Sequence, residues 1–254
     1  MATPLFNLTG KTALVTGGSK GLGKAMARGF VEAGADVVIS SRHENELRTA
    51  LADILKGTDR KGKYVVADVS QRDDVKRLAQ TALEQMGKID ILINNAGTNK
   101  PQAIDAITDQ AWDEIMEINL HSVMVLTRAL VPQMKQRKWG RIIHISSIMA
   151  FLSKEGRNVY SATKAALVGF ARASAIDLGA FGITVNCLAP GPFLTDLPAS
   201  VLSKAEQETF AAHTAVGRWG RPEELVGPAL LLASDAGSYI TGETIVVDGG
   251  FMCK

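Results

Sequence analysis

Two groups of residues have types and spacings suited to chemistry. The first is Thr16-Gly17-Gly18-Ser19-Lys20-Gly21-Leu22-Gly23. Residues 17–21 match G-x-S-x-G, a strand-to-helix turn that can present a nucleophilic serine. Gly17, Gly21 and Gly23 also suit a loop that wraps a pyrophosphate. They let the backbone approach the phosphates and let the next helix pack close to a sheet. The helix N-terminus adds free N–H groups and a positive dipole end. The second group is Tyr160-Ser161-Ala162-Thr163-Lys164. On a helix, Tyr160 and Lys164 share one face. A free phenol, with a pKa of about 10, is a poor base at neutral pH. A neighbouring ammonium favours the phenolate, and Tyr160 can then move a proton to or from a substrate oxygen.

Each group has a plainer reading. Glycines are common in strand-to-helix turns, and a Tyr-x-x-x-Lys pair found alone is usually an exposed helix pair. For the loop, two features favour a phosphate cradle over a nucleophile. Only a short segment precedes Thr16, where a hydrolase would need an earlier strand for its oxyanion hole, and Gly23 extends the pattern beyond the serine. Ser19 then donates its hydroxyl to phosphate. The four histidines, His43, His121, His144 and His213, show no ligand spacing, and no metal site is expected. His144 lies near Ser146, but no acid or oxyanion hole accompanies it, so it reads as a core or surface histidine.

These groups need elements to hold them. The chain has 254 residues, 46% of them hydrophobic, which suits one folded domain over 1–254. Short runs rich in Val and Ile, at 12–16, 37–39, 64–67, 89–93, 142–145, 184–188 and 244–247, read as strands buried on both faces. Helical patterns lie between them at about 21–34, 44–56, 71–86, 108–136, 157–180 and 222–234. That alternation predicts an α/β fold, a doubly wound parallel sheet of about seven strands with helices on both faces. Residues 191–221 break the rhythm and are expected to form a small helical lid over a site.

Composition excludes several classes. A net charge of +2 without a basic stripe argues against a nucleic-acid partner. No signal peptide or membrane-length apolar run is visible, which makes the cytoplasm the simplest compartment. Two cysteines, Cys187 and Cys253, suggest neither a disulfide framework nor a metal site.

The glycine-rich loop, Asn94-Asn95-Ala96-Gly97 after the fourth strand and Tyr160-x-x-x-Lys164 together resemble the short-chain dehydrogenase/reductase family. The resemblance runs from about residue 8 to 250 and implies a Rossmann-type fold. Within the family, the opening residues and 217–224 look like gluconate 5-dehydrogenase-type members, and 3-oxoacyl-[acyl-carrier-protein] reductases share most of that pattern. The implied reaction is hydride transfer between a nicotinamide and a carbon bearing an alcohol or ketone. Ser147, favoured over Ser146 by family spacing, would orient the substrate oxygen. Lys164 would also hold the nicotinamide ribose, and Asn119 would hold a water linking Lys164 to solvent. The cofactor would meet Gly17, Ser19, Lys20, Gly21, Leu22 and Gly23 at the phosphates. Asp68 and Val69 would meet the adenine, and Asn95, Ala96 and Gly97 the ribose. Pro190, Gly191, Phe193 and Thr195 would border the nicotinamide. A homotetramer is implied, its long helices paired between copies. A non-catalytic dinucleotide-binding regulator is an alternative of another class.

The choice of nicotinamide is expected at the second strand. An acidic residue there would accept the ribose hydroxyls and select NAD. The strand instead ends Ser40-Ser41-Arg42. Arg42 can pair with a 2′-phosphate, Ser41 can donate to it, and Lys20 offers a second cation, which favours NADP(H) over NAD(H). Substrate-pocket candidates are Thr98, Asn99, Met149, Phe151, Pro192, Phe193, Leu197 and Trp219. Lys100, Lys154 and Arg157 are candidate cations for a sugar-acid carboxylate. The resemblance to carrier-protein reductases implies basic residues on two helices beside the pocket. Lys138 is available for that role, but Phe181 occupies the second place.

Overall fold

The computed structural model describes residues 4–195 and 203–253. Its strands are β1 (Thr12–Thr16), β2 (Asp36–Ser41), β3 (Gly62–Val66), β4 (Ile91–Asn94), β5 (Gly140–Ile145), β6 (Ile183–Pro190) and β7 (Thr244–Val247). They form one parallel sheet in the order β3-β2-β1-β4-β5-β6-β7. The helices are α1 (Gly21–Glu32), α2 (Glu44–Leu55), α3 (Arg72–Met86), α4 (Asp109–Met116), α5 (Ser122–Arg137), α6 (Asn158–Leu178), α7 (Lys204–His213) and α8 (Val226–Ala233).

Alternate strand residues face opposite sides, so the sheet makes two cores. Leu14, Val38, Leu92, Ile142 and Val185 pack with α3, α5 and α6. Ala13, Val15, Ile39, Ile93 and Ile143 pack with α1, α2 and α8. Every residue of β1, β4, β5 and β6 is buried, as their unbroken apolar runs require. The edge strands differ from expectation. In β3, Lys63 and Val66 are exposed, and in β7 Val246 is exposed, because each has a strand neighbour on one side only.

The pattern expected as one helix over 108–136 is interrupted. Thr108 caps α4, its hydroxyl accepting from Ala111 N at 3.2 Å. The chain then widens into a π-helical turn, Glu117–His121, before α5. Asn119 sits in that turn. Such turns re-aim a side chain without ending the helix and occur often at functional sites.

The strand order reverses between β1 and β4. In open α/β sheets that reversal leaves a crevice beyond the carboxyl ends of the strands, and every group discussed next opens there. The expected lid contains α7. Leu197 lies outside the described residues.

Candidate active site

The loop after β1 is shaped by its glycines. Gly17 and Gly21 have φ of +64° and +51°, a region other residues rarely adopt. A Cβ on Gly23 would lie 2.3 Å from the Gly17 carbonyl oxygen. Alanine there would push the helix off the loop. No side chain caps the start of α1, so its first N–H groups stay available for an anion. Among the described residues, the histidine hydrogen-bond partners are Asn94, Glu117, Arg72 and Thr209, not Ser19. The site has the form of a cradle.

Thr16 joins this loop to the end of β4. Its hydroxyl accepts from Asn95 N and Ala96 N, both at 3.0 Å, while the Asn95 amide donates to Thr16 O at 2.9 Å and Gly17 O at 3.2 Å. Asn95 was expected to border a ribose. Its side chain instead braces the two loops across the strand reversal, although the residue also lines the cleft.

The reactive groups meet at the ends of β5 and α6. Lys164 Nζ donates to Ile145 O at 2.7 Å, and Ser146 Oγ donates to Lys164 O at 2.8 Å. These two bonds stitch strand to helix and use up Ser146. Ser147, one residue on, lines the cleft, and its hydroxyl accepts from Met149 N at 3.1 Å. Burial pushes the Lys164 ammonium down to about 8. Its charge lies 5.5 Å from the Tyr160 ring centroid.

The expected lowering of the Tyr160 pKa is not what this protein shows without ligand. Burial pushes the phenol up, while a hydrogen bond with Ser147 and the charge of Arg157 pull it down. Burial is the largest of the three effects, so the phenol ends above its usual value.

Asn119 is buried and committed. Its amide donates to Thr98 O at 2.9 Å and Thr163 Oγ1 at 3.2 Å, and its Oδ1 accepts from Thr98 N at 2.8 Å. Both side-chain hydrogens are taken, so the side chain first braces the Thr98 loop. Any bridging water would have to use its remaining acceptor capacity.

A cleft of about 680 Å³ opens over these groups. It brings together Leu22, Asn95, Gly97, Ser147, Tyr160, Lys164, Pro190, Gly191, Phe193 and Thr195 from the expected site. Thr98, Asn99, Met149, Pro192 and Trp219 also line it, as expected for the substrate side. Phe151 does not and is exposed. Lys154 and Arg157 reach the outer wall. Lys100 instead pairs with Glu114. The sequence reading missed Phe210 and Phe251. Phe251 enters because Gly249 and Gly250, both at positive φ, turn the chain back after β7; the Asp-Gly-Gly sequence was the available signal.

The remaining expected cofactor residues lie on the shelf beyond β1, β2 and β3. Ser41 Oγ is buried with no hydrogen-bond partner among the described residues. Arg42 is exposed beside it. Lys20 differs from expectation: its ammonium pairs with Glu46 at 2.7 Å, which leaves Arg42 as the cation without an ion pair there among the described residues. Asp68 forms a turn after β3, accepting from Ser70 N at 2.9 Å, and Val69 packs against the core. An orphaned hydroxyl beside a cation, next to a glycine cradle, fits the phosphate groups of a dinucleotide.

Comparison with known proteins agrees with this geometry. A family model described as enoyl-(acyl carrier protein) reductase matches residues 17–252. Gluconate 5-dehydrogenase of Gluconobacter oxydans is 36% identical over 247 residues, covering 97% of this chain and 96% of that protein. A 3-oxoacyl-[acyl-carrier-protein] reductase of Chlamydia muridarum is 36% identical over 243 residues, covering 96% and 98%. The crystal structure of a gluconate 5-dehydrogenase from Burkholderia cenocepacia in complex with NADP and tartrate superposes with a TM-score of 0.92 at 35% identity, covering 98% of each chain. The chain belongs to the short-chain dehydrogenase/reductase family, a family of oxidoreductases. Among the described residues no helix is long and apolar enough to cross a membrane, and no group of His, Cys, Asp and Glu could hold a metal ion.

Proposed function

We propose that this protein is an NADP(H)-dependent oxidoreductase that interconverts an alcohol and a ketone on a sugar acid of the gluconate/5-ketogluconate type. The observation that carries this reading is the cleft itself. Ser147, Tyr160 and Lys164 form its floor, and two cations stand on its wall with no carboxylate among its lining residues.

When bound, a nicotinamide dinucleotide supplies or takes up the hydride. Gly17–Gly23, Ser41 and Arg42 would hold its phosphates. Asp68 and Val69 would hold the adenine, Asn95–Gly97 the ribose, and residues 190–195 the nicotinamide. Ser147 orients the substrate oxygen, and Tyr160 moves the proton to or from it. Lys164, fixed on Ile145 O, keeps its ammonium 5.5 Å from the Tyr160 ring centroid and would also hold the nicotinamide ribose. A ligand's positive nicotinamide would oppose the burial that raises the Tyr160 pKa. Asn119 is a positioning residue that holds the Thr98 loop.

NADP is the ligand in the Burkholderia relative, and its tartrate is a small hydroxy acid. Both agree with this reading. The 3-oxoacyl reductase reading has equal sequence similarity behind it. Its docking argument, however, changes in three dimensions. Lys138 and Phe181 precede β5 and β6, and Gly182 packs on the Lys138 carbonyl. Both residues therefore lie at the amino end of the sheet, opposite the cleft, and cannot guide a carrier protein into the same subunit's site. With Ser147, Tyr160 and Lys164 all present in the cleft, a purely regulatory role has no support. A homotetramer in the cytoplasm is part of the proposal; exposed Trp112 on α4 and Ile176 on α6 are apolar groups that contact between copies would cover.

The test follows NADPH consumption by purified protein offered 5-ketogluconate or an acetoacetyl thioester in parallel. Turnover of the keto acid alone is expected. Turnover of the thioester alone would replace this reading with the acyl reductase.

A further inference from the structure

We infer that Lys154 and Arg157 form a carboxylate-binding subsite, with Asn99 Oδ1 accepting a hydrogen bond from a hydroxyl of the same substrate, and that this wall selects acids over neutral ketones. The inference rests on the sugar-acid reading of the cleft and assigns its recognition to particular side chains.

The first argument is charge. Lys154 and Arg157 line a cleft that contains no Asp or Glu. Neither has an ion-pair partner among the described residues, although Lys20, Lys24, Arg28, Arg72 and Lys100 all have one. Glu155, in the same turn, is exposed and does not line the cleft. Two neighbouring like charges, Arg157 half-buried and Lys154 at the exposed rim, favour an anion between them. Both effects push the Lys154 ammonium down from its usual range, burial first and Arg157 second.

The second argument is rigidity. Arg157 N donates to Lys154 O at 3.2 Å, closing a turn through Gly156 at φ +72°. That turn is tied to the loop carrying Asn99, because Gln102 N donates to Gly156 O at 3.0 Å and Gln102 bridges to Arg157. The guanidinium is thus presented from fixed backbone at the start of α6. Its planar donor fork matches a carboxylate.

The third argument is an unmet acceptor. Asn99 Oδ1 is buried, lines the cleft residue by residue with Thr98, and has no partner among the described residues. A buried acceptor of this kind calls for a donor, and a polyhydroxy acid supplies hydroxyl groups close to its carboxylate. Lys154 Nζ rests 4.6 Å from the Phe210 ring centroid on α7. The ammonium is therefore held by a ring face and stays open to an anion.

Malonate, a dicarboxylate with no ketone to reduce, tests the subsite without turnover. Calorimetry would measure its binding to the full chain with and without NADP⁺. Wild type should bind malonate and ignore its neutral dimethyl ester. Arg157→Gln and Lys154→Gln should each weaken malonate by about tenfold, the usual scale for losing a charge-assisted contact, and Arg157→Lys should recover part of it. Thermal melts check that the variants fold. With 5-ketogluconate, Arg157→Gln should raise KM more than it lowers kcat. Absence of malonate binding to wild type, or unchanged affinity in both glutamine variants, overturns the subsite. If malonate binding depends on Arg157 but 5-ketogluconate is not turned over, the sugar-acid reading fails and the subsite stands. If 5-ketogluconate is turned over with KM unmoved in Arg157→Gln, the sugar-acid reading stands and the subsite falls.

Discussion

The two ends of the sheet treat polar groups in opposite ways. At the amino end, buried Asp90 accepts from Thr12 N at 2.9 Å and pairs with Lys88 at 3.1 Å and with Arg137. Nearby, buried Arg141 donates to the carbonyls of Gly140, Gly182 and Ser234. Trp139 lies beside both Lys11 and Arg141, 3.5 and 4.4 Å from its ring centroid. At the carboxyl end the groups wait. Ser40, Ser41, Asn99, Gln102 and His144 each keep a buried atom without a partner, against only the hydroxyls of Thr184 and Ser234 elsewhere among the described residues. An unpaired buried group costs stability. A fold that concentrates such groups at one end keeps that end for ligands and anchors itself at the other.

The comparison breaks most readily at the anchored end. Asp90→Ala removes a buried carboxylate and strands a buried N–H and nearby cations. It should lower the unfolding free energy by about 3 kcal/mol and leave turnover per folded molecule unchanged. Urea denaturation beside initial rates would check this, and a loss of activity without a loss of stability would erase the distinction between the ends.

His144 sharpens the contrast from the other side. It is fully buried between Asn94, 3.0 Å from its Nδ1, and the Phe170 ring. Burial pushes its pKa down from 6.5 to about 3, with Lys164 adding to the effect. Below pH 6.5 the unfolded chain takes up a proton that the folded histidine refuses until about pH 3. This contribution to stability therefore falls as pH drops through that window, by about 2 kcal/mol between pH 7 and pH 5. His144→Gln should flatten that part of the stability profile. Parallel profiles for the variant and wild type would remove His144 from the account.

The smallest effect is the most selective. Arg42→Ala should weaken NADPH binding by about tenfold, as loss of one charge-assisted contact would, while NADH binding changes less than about twofold. Equal losses for both dinucleotides, read by fluorescence titration, would separate Arg42 from the 2′-phosphate.

Much of this arrangement is legible in the amino-acid sequence. Buried parallel strands need unbroken apolar runs, so β1, β4, β5 and β6 announced themselves. The glycine loop was legible because only glycine fits its positive φ and close packing. What stayed hidden depends on distant partners. Nothing around Asn119 encodes a π turn, which forms where Thr98 and Thr163 claim its side chain. Lys20 reads as a free cation until α2 brings Glu46 beside it. The bracing role of Asn95 shows only once β1 and β4 become neighbours. The Tyr160 pKa was expected to fall because Lys164 is visible four residues away, whereas the burial that raises it belongs to the folded cleft.

The central claim is that Tyr160 moves the proton at a site whose dinucleotide binding is built separately from it. Tyr160→Phe tests it most directly, measured as NADPH consumption with 5-ketogluconate alongside NADPH binding by fluorescence. The account predicts a fall in turnover of at least about a thousandfold, within the range for losing a general acid, with NADPH affinity nearly unchanged. Turnover within about tenfold of wild type would contradict it, because a ring without the hydroxyl cannot carry the proton.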